Sequence, residues 1–144
     1  MAPDYSIDLP PAYPRNEEFS LWTGQFELDR NQLKRRSRGM EIPQIQIHEA
    51  KRRLDEKESL FVDIRDPGSY RQAHIPGAIH LHDGNIQDFL QHTDKEKSIV
   101  VYCYHGNSSL GATGFLIENG FKSVASMSSG FEGWRQVYEF ETPD

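Results

Sequence analysis

Cysteine is almost absent from this chain: there is one, Cys103, in 144 residues. A lone cysteine excludes an internal disulfide framework, and a thiolate-based zinc cluster needs more sulfur than this. Long apolar runs are missing as well. None approaches the roughly 20 residues that span a bilayer. An excess of positive charge is lacking too, since the formal net charge is −6. That balance speaks against a dedicated nucleic-acid binder, whose phosphate contacts call for a basic surface. The first residues mix acids and prolines and lack the basic start and apolar stretch of a secretory signal. With 36% hydrophobic residues, the length supports one compact domain and a tail. The expectation is a soluble, cytoplasmic protein with no membrane or nucleic-acid partner. Cys103 is then the residue to explain. Its ordinary role would be that of a small buried hydrophobe.

Proline and charge divide the chain near residue 40. Pro3, Pro10, Pro11 and Pro14 all precede that point, and basic and acidic residues balance there, so the whole net charge belongs to residues 41–144. Prolines at this density exclude a regular helix or central strand through Pro14. Phe19, Leu21, Trp22, Phe26 and Leu28 follow, and the run Lys34-Arg35-Arg36-Ser37-Arg38-Gly39 reads as a solvated linker. We take residues 1–40 as an N-terminal extension or appended segment with little regular structure, and 41–144 as the domain.

From Glu41 the pattern becomes regular. The alternation Ile45-Gln46-Ile47 predicts a short strand, and Ala50 and Leu54, four apart, predict a helix over 48–58. Leu60 to Ile64 is a nearly continuous apolar strand, of the kind buried on both faces. Asp66-Pro67 opens a short helix, with Asp as cap and Pro at the first position. Pro76-Gly77 is a turn before a strand over 78–81. A helix over 85–92 presents Ile86, Phe89 and Leu90. Ser98 to Tyr102 is a buried strand. A helix over 108–118 stops at Asn119-Gly120. A strand over 123–127 and a helix over 130–138, with Phe131, Trp134 and Val137 at helical spacing, complete the chain. Strands alternating with helices predict an α/β fold with a parallel sheet flanked by helices on both faces.

Cys103 falls where such sheets build sites, past the carboxyl end of a strand and before a helix. Unsatisfied N–H groups and the positive end of the helix dipole favour thiolate there, and thiolate is the nucleophile. Gly106 and Asn107 tolerate left-handed backbone, so the loop Tyr104-His105-Gly106-Asn107-Ser108 can curl its N–H groups around one point. Such a cradle holds an anion without a local Lys or Arg, and without a metal. Ser108 and Ser109 read as helix caps. Asp63 and Arg65, two apart at a strand end, point to one face and read as a structural ion pair. His74 reads as holding its turn, and Trp134 as core.

Four motifs in order, VDIRDP at 62–67, HIPGAI at 74–79, CYHGNSS at 103–109 and SSGFEGW at 128–134, resemble the rhodanese family. The cysteine loop is most similar to that of the single-domain thiosulfate sulfurtransferases of GlpE type. The resemblance spans about residues 41–140. It implies a rhodanese-like fold and a ping-pong sulfur transfer with no cofactor. Cys103 would take the outer sulfur of thiosulfate as a persulfide and release sulfite. Cyanide, or a dithiol protein such as thioredoxin, would then remove it. The backbone N–H groups of Tyr104, His105, Gly106, Asn107 and Ser108 would bind the donor. The family usually has two glycines where this chain has Ser129-Gly130.

Three other readings rank below this one. Cysteine phosphatases and arsenate reductases carry Cys-x5-Arg, whose arginine grips the oxyanion in bidentate fashion. Here that position is Ser109, and no arginine occurs between Arg71 and Arg135. Acyl transfer by a Cys-His pair lacks a recognisable context among His48, His74, His80, His82, His92 and His105. A rhodanese module that only binds a partner usually lacks the cysteine. A persulfide relay in a thiolation pathway keeps it and stays open.

Overall fold

The structure is a computed structural model that describes residues 41–142. The expectations for residues 1–40 lie outside the described residues. Five strands alternate with five helices: β1 (Gln44–Ile45), α1 (Ile47–Asp55), β2 (Leu60–Asp63), α2 (Pro67–Gln72), β3 (Ile79–His80), α3 (Ile86–His92), β4 (Ser98–Tyr102), α4 (Ser108–Glu118), β5 (Ser123–Met127) and α5 (Gly130–Trp134). The sheet order is β1-β5-β4-β2-β3, and every pairing is parallel. No helix among the described residues is long and apolar enough to cross a membrane.

The two-residue period of a strand divides the central side chains between two cores. Ile99, Val101 and Cys103 face one core, beside Val62 and Val124; Val100 and Tyr102 face the other, beside Phe61 and Met127. The first core is closed by Ile86 and Phe89 of α3 and by Ala112 and Leu116 of α4. The second is closed by Ala50 of α1 and by Phe131 and Trp134 of α5. Central strands apolar on both faces are what this double covering requires.

Several expected elements differ from the structure: the strand read to Ile64 stops at Asp63, and the strand read over 78–81 covers only Ile79–His80. Ile47 is not in a strand: the ladder to β5 ends at Ile45, and extended Gln46 (φ −86°, ψ 165°) turns the chain into α1. Alternation over three residues could not distinguish a strand from a strand followed at once by a helix. α1 ends earlier than expected, and Lys57 reverses the chain at φ 57°. α5 stops at Trp134, so Val137 is 61% exposed rather than packed. The short helix α2 forms as read, with Asp66 accepting the Ser69 N–H and Pro67 at its first position.

Candidate active site

β4 runs along the middle of the sheet and delivers Cys103, 6% exposed, to its carboxyl end. Gly106 at φ 98° turns the loop back, and α4 begins at Ser108. Two backbone N–H groups converge on Cys103 Sγ: Gly106 at 3.2 Å and Ser109 at 3.3 Å. The Ser109 N–H belongs to the first turn of α4, where such groups have no partner within the helix. The arrangement suits a sulfur that carries negative charge, since both donors are fixed before any charge develops.

The loop's carbonyls point the other way. Cys103 O accepts the Phe131 N–H at 2.8 Å, and Tyr104 O accepts the Glu132 N–H at 2.9 Å. The first turn of α5 therefore satisfies the loop's acceptors while the loop's donors turn inward. This close approach needs Gly130: a Cβ there would land on the Tyr104 carbonyl and 2.6 Å from Cys103 O. Ser129, at the first of the two glycine positions, is held in the left-handed region at φ 71°. A residue with a Cβ pays a steric cost in that region.

A cavity of about 150 Å³ opens at the cysteine. Tyr104, His105, Asn107 and Ser108 line it from the loop, and Ile64, Arg65 and Asp66 line it from the end of β2. Of the loop residues named from the sequence, four reach the cavity wall. Gly106 is instead buried and contributes its N–H to Sγ. Asn107 is right-handed (φ −86°, ψ −51°) and is the N-cap of α4, without a side-chain cap bond. Ser108 and Ser109 are thus in the helix rather than caps. Ser109 is fully buried, and its hydroxyl lies 3.5 Å from Sγ and 2.7 Å from Ser126 Oγ. Ser126 carried no sequence signal, because only the register of β5 brings it beside α4.

Asp63 and Arg65 form a buried pair, with Arg65 Nη2 2.7 Å from Asp63 Oδ2. Asp63 Oδ1 also accepts the Arg65 backbone N–H at 2.8 Å. The guanidinium lies over the rings of Phe131, Tyr104 and Tyr102 at 4.3, 5.0 and 5.7 Å. Burial works against its charge, but the Asp63 carboxylate outweighs this and holds the guanidinium's pKa above the ordinary value. The pair thus locks the end of β2 beneath the cavity. That an arginine comes to the cavity wall from another strand was not visible in the spacing around Cys103. His74 holds its turn through Nδ1 to Tyr70 O and pairs with Glu141 at 3.2 Å. Trp134 is fully buried.

The chain is 45% identical over 89 residues to the thiosulfate sulfurtransferase GlpE of Pseudomonas syringae pv. syringae, covering 62% of this chain and 84% of that protein. Among solved structures, a rhodanese-like domain protein from Staphylococcus aureus superposes with a TM-score of 0.62 at 25% identity, covering 72% of this chain and 100% of that one. A Rhodopseudomonas palustris protein of unknown function, described as a possible tyrosine phosphatase, superposes with a TM-score of 0.63 at 26% identity, covering 76% and 90%. The family model of the rhodanese-like domain matches residues 46–137, and the chain belongs to that family.

Proposed function

We propose that the protein is a thiosulfate sulfurtransferase whose nucleophile is Cys103. The observation that carries this is the placement of Sγ at a small cavity, under two backbone N–H donors. The thiolate attacks the outer sulfur of thiosulfate. A bond forms between Sγ and that sulfur, the S–S bond of thiosulfate breaks, and sulfite leaves with the electron pair. Cyanide then attacks the outer sulfur of the persulfide, giving thiocyanate and restoring the thiolate. A dithiol protein such as thioredoxin would instead take the sulfur on one thiol and release it as sulfide when its second thiol closes a disulfide. Dividing the transfer over a covalent intermediate suits an activated thiolate.

The donor is a dianion, and the domain is acidic. Its binding therefore relies on local donors: the N–H groups of the loop from Tyr104 to Ser108, with Arg65 at the cavity wall. With no second cysteine in the chain, an internal disulfide cannot discharge the persulfide, so the acceptor comes from outside. A reducing compartment such as the cytoplasm suits a lone thiol of this kind. The sequence position of a phosphatase arginine is held by Ser109, which is buried beside Sγ rather than facing the cavity.

One mixture tests the reading. Incubation with thiosulfate should add the mass of one sulfur to Cys103 and release sulfite, and added cyanide should give thiocyanate over many turnovers. Cys103→Ser should lower turnover by about a thousandfold or more, as removal of a nucleophile does. Undiminished turnover in that variant would falsify the assignment. Hydrolysis of an aryl phosphate, with no thiosulfate activity, would move the protein to phosphatase chemistry. Deleting residues 1–39 should leave thiosulfate turnover intact if that segment is an appendage.

A further inference from the structure

The cysteine has a second set of neighbours that the reaction scheme does not use. Ser109 Oγ lies 3.5 Å from Cys103 Sγ and 2.7 Å from Ser126 Oγ. Both serines are fully buried, and neither lines the cavity. Ser126 sits on β5 opposite Val101 of β4, on the sheet face that carries Val101 and Cys103. Two hydroxyls are therefore stacked behind the thiol, in a part of the core that water does not reach.

Counting hydrogens gives the pair a direction. It holds two hydroxyl hydrogens, and the bond between the oxygens uses one. If Ser126 donates to Ser109, then Ser109 donates to Sγ and both hydrogens are placed. If instead the thiol donates to Ser109 and Ser109 to Ser126, the Ser126 hydrogen has no acceptor among these atoms. A buried donor without an acceptor is costly. While the thiol keeps its proton it donates to Ser109 Oγ; once the sulfur is ionised, the pair turns into a net donor that places both hydrogens and is matched to the charged sulfur. We propose that Ser126 is a positioning residue, which holds the Ser109 hydroxyl on Sγ and so stabilises the Cys103 thiolate. Without Ser126, the Ser109 side chain is free to turn to another staggered rotamer. No proton leaves the pair, because the hydroxyls only rotate. The same donor serves the thiolate before it attacks and again when the persulfide is discharged. In that respect the proposal rests on Cys103 being the nucleophile.

Alkylation of Cys103 by iodoacetamide tests this, because its rate follows the thiolate fraction and needs no sulfur transfer. The full chain, Ser109→Ala, Ser126→Ala and the double variant are compared from neutral to alkaline pH. At neutral pH, Ser109→Ala should slow alkylation about tenfold, as loss of a hydrogen bond to a charged group does. Ser126→Ala should slow it about threefold, a share of the same effect. The double variant should match Ser109→Ala alone, since Ser126 acts only through Ser109. The deficits should vanish at alkaline pH, since a less stabilised thiolate is at least as nucleophilic as the wild-type one. A Ser126→Ala rate equal to wild type at neutral pH overturns the proposal. So does a deficit that persists at alkaline pH or adds in full to that of Ser109→Ala. These outcomes are separate from the sulfurtransferase reading, which stands or falls on thiosulfate turnover in Cys103→Ser.

Discussion

Thr113 Oγ1 is the one buried side-chain nitrogen or oxygen without a hydrogen-bond partner among the described residues. It lies four residues beyond Ser109 on α4, on the same helix face, and is fully buried. Ser109 repays its desolvation through Sγ and Ser126; Thr113 has no such partner. Thr113→Val keeps the branched shape and removes the orphaned hydroxyl. It should raise stability by about 1 kcal/mol, seen as a higher denaturant midpoint at unchanged slope. An unchanged or lower midpoint would show that the hydroxyl is satisfied in solution. The same scale separates residues that look alike in sequence. Ser108 and Ser109 are adjacent and identical, yet one lines the cavity and the other is sealed behind the cysteine.

At the scale of elements, the site is a loop held between two helix beginnings. α4 directs an N–H at the sulfur, and α5 directs N–H groups at the carbonyls of Cys103 and Tyr104. Gly130 is where the two meet. A side chain there faces both a positive φ of 60° and a collision with the loop carbonyls. Gly130→Ala should therefore lower stability by about 2–4 kcal/mol. It should also reduce thiosulfate turnover, because the Tyr104 peptide has to move out of place. Urea unfolding and turnover of one preparation measure both. Retention of wild-type stability would show that α5 docks less tightly on the loop than these contacts require. The importance of Gly130 can be read partly from SSGFEGW, which places a glycine at a helix start. The steric reason, the approach of a loop 26 residues earlier in the chain, needs the fold.

At the scale of the molecule, a row of rings braces the edge of the sheet by the site. Tyr70 stacks on His74 at 4.0 Å and on His80 at 5.0 Å, and His80 meets His82 at 5.0 Å. His80 Nε2 donates to Arg65 O at 2.6 Å, so the row is tied to the segment beneath the cavity. Burial pushes the pKa of both His80 and His82 down. A histidine whose folded pKa is depressed contributes stability that is complete above its unfolded value near 6.5. That contribution is lost as pH falls from there through the lower folded value. Stability should therefore decline between pH 7.5 and 5.5. His80→Gln, which keeps a donor for the Arg65 carbonyl but does not titrate, should flatten part of that decline. Denaturant midpoints of the two proteins across this pH range give the comparison; identical slopes would remove His80 as a cause.

Much of this architecture follows from the order of residues alone. Apolar runs such as Ser98–Tyr102, alternating with helical segments, determined a doubly covered parallel sheet, because strands buried on both faces are mainly apolar and carry a polar side chain only where it finds a buried partner, as Asp63 and Ser126 do. The punctuation at Asp66-Pro67 and Asn119-Gly120 set helix limits through local backbone preferences, which neighbours along the chain decide. The place of Cys103 between a strand and a glycine-containing loop marked the candidate site for the same local reason. Only the tertiary structure decided which groups meet the sulfur. Ser126 reaches Ser109 across 17 residues through strand register, and Arg65 comes to the cavity from a different strand. The end of α5 at Trp134, with Val137 left exposed, was likewise set by packing and not by the spacing of apolar residues. Local preferences act over a few residues and can be read in order. Burial and hydrogen-bond satisfaction depend on what the fold brings from elsewhere in the chain.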